Sequence, residues 1–437
     1  MSKKGQRQRR RLQEQAPPSG QKPSGNLAPH DLDAMAEELV SYHAQFHDLF
    51  QRREQREWSA LYLRGQLADI ERKTVEPMVL ALKGPDLAAV RAGQQFLGEG
   101  AWADGPILER HQRLVAESLG EADGVVICDG SGFPKQGTHS VGVARQYSGS
   151  LGKVANCQVT VNCHYAERTI AWPVASRLYL PHAWARDAAR REQAHVPRAV
   201  EFQTKAEIAL DLVDQANALH VPHSAIVADA EFGDNPLFLD GLEARRESYV
   251  ADVRRDFQVS AARGVHGPVA RAEEVVAGWP PRAWHVLRWR EGSAGWLKGA
   301  FAALRCYRVD GQGQRTLGWL IAERELPDGS GRNKLYWSNF PARTSLLRLV
   351  ELAHRRAFVE LYHEEAKTLL GWDQYQGRLW QGFHRNTFLV MLAYSFLVWT
   401  EWRERQQVTL PGRPRGAFSP SAGSPAQVVG LGAPAHR

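Results

Sequence analysis

Residues 125–166 constrain the fold of this chain more than any other stretch. Val125-Val126-Ile127-Cys128 is an apolar run rich in β-branched residues that ends on Asp129. That is the composition of a buried strand delivering a carboxylate to its C-terminal edge. A Gly-rich turn carrying Lys135 follows, and residues 158–163 then alternate polar and apolar side chains, the period of a second strand. Asp129 is therefore expected on a rigid sheet, beside a mobile basic loop. One carboxylate at a strand end more often caps a turn than does chemistry. Here the pattern recurs, because Ala225-Ile226-Val227-Ala228 is a second short apolar run that ends on an acid, Asp229. Two aspartates at the ends of two buried strands of one sheet can share a divalent cation.

A third ligand is expected from residues 346–370, a helical pattern containing Arg356, Glu360 and Lys367. Spacings of four and seven put all three on one helical face. With these residues in view the chain resembles the DDE transposases of insertion-sequence family 701. The likeness is carried by D-G-S-G-F-P-K from Asp129, A-D-A-E-F-G-D around Asp229, and R-x(3)-E-x(6)-K from Arg356 through Glu360 to Lys367. HSVGVARQYSG, NCQV, RLYLP and YWSNFP match as well, so the likeness runs over residues 35–400.

The resemblance implies an insertion-sequence transposase that cleaves DNA at the element's ends and transfers the strand to a target. It implies an α/β fold with a ribonuclease-H-like catalytic core, a β-rich insertion and an all-helical N-terminal domain. Asp129, Asp229 and Glu360 are then the catalytic and metal-binding triad, holding two Mg²⁺ ions roughly 3.5 to 4 Å apart, with Mn²⁺ as a substitute. Lys135, His139, Arg356 and Lys367 would contact DNA. The partners implied are double-stranded DNA, as terminal inverted repeats and as target, and a second copy of the chain in a synaptic dimer. Glu231 and Glu364 are fallback ligands. Two positions depart from the family pattern, Gly130 after the first aspartate and Ala353 where a tyrosine is usual. They keep a second reading open, a DNA-binding relic or repressor that has lost strand transfer.

Composition sets the frame. A chain of 437 residues with 43% hydrophobic and 24% charged residues can bury a large core and divide into several units. The net charge of +7 invites a nucleic-acid partner, yet residues 1–25 carry seven basic groups against the single acid Glu14. DNA contacts must then be sought in local clusters within the nearly balanced remainder. The expected divisions are a disordered basic tail at 1–28, a helical DNA-binding domain at 29–120, and the catalytic core at 121–256. A β-rich insertion at 257–337, the end of the core with Glu360 at 338–405, and a disordered tail at 406–437 complete the chain. In the N-terminal domain Arg52, Arg53, Arg56, Arg64, Arg72 and Lys73 can grip terminal DNA or form a solvated face. In the insertion, Trp279, Trp284, Trp289, Trp296 and Trp319 can stack on bases or pack a core.

Other chemistries fit poorly. The four cysteines form no C-x-x-C pair, and a reduced cytoplasmic, nucleoid-associated bacterial protein without a membrane span is the expectation. Residues 388–399 are too short an apolar run to cross a bilayer and read as a buried core helix. The Gly132–Gly137 loop has Thr138 where a P-loop needs lysine, and Pro134 removes a donor amide. Ser131 lacks both glycines of a nucleophile elbow, with Asp129 and Phe133 in their places.

Overall fold

The computed structural model describes residues 29–149, 151–261, 267–292, 295–324 and 333–408. The basic tail expected at 1–28, and all of the C-terminal tail beyond Val408, lie outside the described residues.

Among the described residues five α-helices precede the first strand: α1 Pro29–Ala44, α2 Arg53–Leu67, α3 Val75–Lys83, α4 Leu87–Gly98 and α5 Asp104–Leu114. Then come β1 Val125–Pro134, β2 Ala144–Ser148, β3 Lys153–Ala166, β4 Ala171–Leu178, α6 Lys205–Ala218, β5 Ala225–Ala228, α7 Pro236–Ala244 and β6 Tyr249–Val253. The segment after β6 contributes β7 Gln258–Ser260, β8 Ala270–Arg271, β9 His285–Gly292, β10 Gly295–Val309, β11 Arg315–Arg324 and β12 Lys334–Ser338. Three helices follow, α8 Leu346–His354, α9 Ala357–Thr368 and α10 Trp380–Val408.

The strands form one mixed sheet in the order β2-β3-β1-β5-β6-β12-β11-β10-β7-β8, with β4 beside β3 and β9 beside β10. Its centre is parallel: β1, β5 and β6 run side by side, with Cys128 level with Ala228 and Ala228 level with Ala251. Val125, Val126, Ile127 and Cys128 are all fully buried, as a central strand covered on both faces requires. The strands after β6 do not stand apart, since β12 pairs antiparallel with β6 and carries β11 and β10 into the same sheet.

Local signals explain the helices. The N-terminus of α6 is closed by a capping box, in which the Thr204 side chain accepts from the Glu207 amide and the Glu207 carboxylate accepts from the Thr204 amide. The apolar face of α6, from Ala206 through Ala216, is buried. The run read as a core helix lies inside α10, where Phe388 to Val398 are all buried. The N-terminal helices pack onto α10. Tyr62 donates to Asn386 Oδ1 at 2.7 Å, and a His111 ring nitrogen lies 2.8 Å from Ser395 Oγ. Arg385, fully buried, donates to the carbonyls of Phe96, Leu97, Gly100 and Trp102 at the end of α4. One guanidinium thus satisfies a helix end that burial would leave orphaned. Among the described residues no helix is long and apolar enough to cross a membrane.

The helical pattern of residues 346–370 is broken in two. The chain turns at Arg355 and Arg356 between α8 and α9. Tertiary ion pairs account for the break. Arg355 is drawn to Asp123, 2.8 Å away, while Arg356 is drawn into the sheet edge. Propensity alone does not reveal such anchors.

Gly233 ends the short helix Ala230–Gly233 that follows β5, and it lies against β6. A Cβ there would sit 2.0 Å from the Asp252 carbonyl oxygen. Gly233→Ala is expected to lower folding stability by about 1–3 kcal/mol through overpacking, read as a lower denaturant midpoint. An unchanged midpoint would show that the two segments separate freely.

Candidate active site

Extending the register of the three parallel strands by one residue places Asp129, Asp229 and Asp252 at one level of the sheet. Asp129 and Asp252 are nearly buried, at 6% and 8% exposure. Asp229 follows the last residue of β5 and caps the next short helix, its Oδ1 accepting from the Glu231 amide at 3.0 Å and more weakly from that of Phe232. The fourth carboxylate, Glu360, comes from the first turn of α9.

Arg356, at the start of α9, holds this group together. Its Nη1 lies 2.9 Å from Asp129 Oδ2, its Nε 3.4 Å from Asp252 Oδ2, and its Nη2 donates to Glu360 Oε1. Burial works against the arginine's charge, and the carboxylates of Asp252, Glu360, Asp129 and Asp229 outweigh it, so the guanidinium stays protonated more firmly than usual. Burial, with Asp229 and Glu360 adding to it, holds Asp129 well above the ordinary carboxylate range against the pull of Arg356. Asp229 is pushed up to about 6, by burial and by Glu231 and Asp252, again against Arg356. Four carboxylates gather around Arg356, with Lys334 3.2 Å from Asp252 Oδ2 as a second cation, so acids outnumber bases at the site.

In donor chemistry these residues fit a hard divalent cation, because every available ligand atom is a carboxylate oxygen and the local charge calls for more positive charge than one arginine supplies. In arrangement they do not yet surround one. Among the described residues no group of three His, Cys, Asp or Glu stands ready to hold a metal ion. The Arg356 fork bridges Asp129 and Glu360 instead.

The cations read from the sequence divide into two kinds. Lys367 Nζ donates to the Gly132 carbonyl at 3.0 Å and sits over the Phe133 ring, and burial brings it down to about 8 against the pull of Asp373 and Asp129. Lys135 is not on a free basic loop. Its ammonium donates to the Tyr375 carbonyl, 240 residues along the chain, and burial brings it too down to about 8. His139 is exposed. In the N-terminal helices Lys73 donates to the carbonyls of Gln66 and Ala68, and Arg56 reaches that of Phe50. Arg52, Arg53, Arg64 and Arg72 are exposed.

Two further features bear on the sequence reading. Glu231, a fallback ligand, is paired with Lys205. A Cβ at Gly130 would lie 3.3 Å from Glu231 Oε2, so a larger residue there would crowd that carboxylate. Of the tryptophans between β6 and β12, Trp289 stacks on His354 at 4.1 Å and Trp284 lies against Arg324 at 3.7 Å. Trp296, by contrast, is 54% exposed. All four cysteines are buried and free.

Asp252 was not singled out in the sequence, although a signal was present. Val227-Ala228-Asp229 and Val250-Ala251-Asp252 are the same tripeptide, the first aspartate one residue past β5 and the second one residue before the end of β6.

Comparison with known proteins gives two findings. Residues 45–293 match a family described as DDE superfamily endonuclease. A protein of Microchaete diplosiphon described as a probable transposase for insertion sequence element IS701 is 25% identical over 196 residues, which is 45% of this chain and 48% of that relative. The match therefore spans about half the length of the relative.

Proposed function

Because this chain belongs to the DDE superfamily endonucleases, we propose that it is an insertion-sequence transposase that cleaves DNA at the element's ends and transfers the freed strand to a target. One observation carries the reading: the carboxylates of Asp129, Asp229 and Glu360, at least a hundred residues apart in sequence, come together with Asp252, three of the four paired to Arg356 and Asp229 level with Asp129 by strand register. A structural ion pair needs one acid for one base. The excess of acid is what a centre for divalent cations needs.

Asp129, Asp229 and Glu360 would hold two Mg²⁺ ions, or Mn²⁺ in their place. When bound, the ions supply activation of an oxygen nucleophile and neutralisation of charge on the phosphodiester. The chain's own residues supply the rest. The parallel strands fix the Asp129 and Asp229 backbones at one level, so the change that remains is the departure of Arg356 from Asp129 and Glu360. Arg356 and Lys367 present positive charge beside those carboxylates and are suited to phosphate oxygens, the arginine as a fork and the lysine as a point charge. His139, exposed on the loop after β1, is read as a further DNA contact, and Lys135 becomes one on leaving the Tyr375 carbonyl.

The same reading assigns a ribonuclease-H-like core to residues 121–256 and 338–405, interrupted by the β-rich insertion at 257–337. The mixed sheet with a parallel centre supports it. Residues 29–120 are read as the region that holds the terminal inverted repeats, supported by the exposed Arg52, Arg53, Arg64 and Arg72. A homodimer bridging two ends follows from the need to bring both to one reaction.

The test uses the full chain with DNA carrying the element's terminal repeats. Nicking at the repeat ends in Mg²⁺ or Mn²⁺ is expected. Binding without nicking in either ion would leave a DNA-binding protein and remove the phosphoryl-transfer reading.

A further inference from the structure

Three of the four carboxylates around Arg356 are accounted for by the reading above. Asp252 is left over, and its placement is specific. It stands at the level of Asp129 and Asp229 on the neighbouring strand, and its Oδ2 lies 3.4 Å from Arg356 Nε and 3.2 Å from Lys334 Nζ on β12. The guanidinium is divided between partners. Its two terminal nitrogens go to Asp129 and Glu360, while the nitrogen on its stem faces Asp252.

That division has a consequence for any cation that enters. Arginine cannot shed its proton to make room, so the guanidinium must leave Asp129 and Glu360 with its charge intact. A charge that is only 16% exposed is costly without a partner. The guanidinium is planar and moves as one body, and Asp252, on its stem side, is the acid that a metal at Asp129 and Glu360 leaves to it.

We propose that Asp252 is a positioning residue, which retains Arg356 when divalent cations displace it from Asp129 and Glu360, and so turns the freed edge of the guanidinium toward the DNA phosphate. Asp252 acts through Arg356 and is not itself a metal ligand. Lys334 keeps Asp252 neutralised when the arginine is absent, so the Asp252 charge is then little felt by a metal at the triad. This inference rests on the proposed metal-binding function of the same site.

The experiment is a double-mutant cycle on the full chain without DNA, reading Mn²⁺ affinity by calorimetry, with far-UV circular dichroism melts as the check on folding. Asp252→Asn is expected to weaken Mn²⁺ binding about 10- to 100-fold, the range for removing a group that orients a metal centre. Arg356→Met is expected to bind Mn²⁺ more tightly than the parent chain. Adding Asp252→Asn to Arg356→Met should change the affinity by no more than about twofold, the scatter of independent sites.

An equal loss in both backgrounds would make Asp252 a ligand or a simple charge and overturn the proposal, as would parent-like affinity in Asp252→Asn. If Asp252→Asn does not fold, Asp252→Ser gives a second arm. It is expected to weaken Mn²⁺ binding only where Arg356 is present, and an equal loss in both backgrounds would overturn the proposal. Failure of the parent chain to bind Mn²⁺ at all would overturn the metal reading, and this inference with it.

Discussion

Asp129→Asn, Asp229→Asn and Glu360→Gln are each expected to lower strand cleavage by roughly a thousandfold or more, with binding to terminal-repeat DNA retained. The magnitude follows from the charge stabilisation at stake, which is worth several kcal/mol when metal ions act on a phosphodiester, each 1.36 kcal/mol being a decade in rate. The amides keep the shape of the side chains, so packing around β1 and α9 should survive. Asp129→Asn is expected to carry the largest effect, because Asp229, Arg356 and Glu360 all act on its carboxylate. A gel assay on end-labelled repeat DNA reads cleavage and binding together. Cleavage retained by any one variant would remove that residue from the triad.

Arg356→Met is expected to destabilise the metal-free chain by about 3–5 kcal/mol, the cost of leaving buried carboxylates without their cation. Divalent cations should recover more stability in the variant than in the parent chain, since they no longer compete with the guanidinium and bind only the folded state. Thermal melts with and without Mn²⁺ separate the two effects. A variant as stable as the parent without metal would show that the carboxylates discharge one another by sharing protons, and that the arginine is not their counter-ion.

The strand-end acids were legible because burial leaves a plain mark on sequence: short β-branched runs, each closed by an aspartate. Apolar periodicity likewise marked the N-terminal helices and the buried part of α10. What escaped the sequence were features set by partners distant in the chain. The register that levels Asp252 with Asp129 and Asp229 is a property of strand pairing, so the repeated Val-Ala-Asp had no meaning until β5 and β6 were seen side by side. The break between α8 and α9 depends on Asp123 pulling Arg355 and on the sheet edge pulling Arg356, neither of which local propensity contains. Lys135 reads as a mobile phosphate contact in a Gly-rich turn, but a carbonyl at Tyr375 holds its ammonium. The tryptophans of the insertion have one signature and two fates, since Trp284 and Trp289 are packed while Trp296 is exposed.

The arginine also gives the site a defined resting arrangement. With Arg356 across Asp129 and Glu360, two of the three proposed ligands are closed on a cation of the chain's own, and freeing them requires a competitor of higher charge. On the proposed function, DNA phosphate and a divalent metal would favour the same change, the metal by taking the carboxylates and the phosphate by taking the guanidinium. Each is expected to strengthen the binding of the other, as linkage requires of two ligands that prefer one state.

The most direct measurement is anomalous diffraction from crystals of the full chain grown with Mn²⁺. The expected result is a Mn²⁺ peak about 2 Å from carboxylate oxygens of Asp129 and of Asp229 or Glu360, with the Arg356 fork no longer bridging Asp129 and Glu360. An arginine still bridging those two residues at saturating Mn²⁺, with no peak among the carboxylates, would contradict the reading of this cluster as a metal centre.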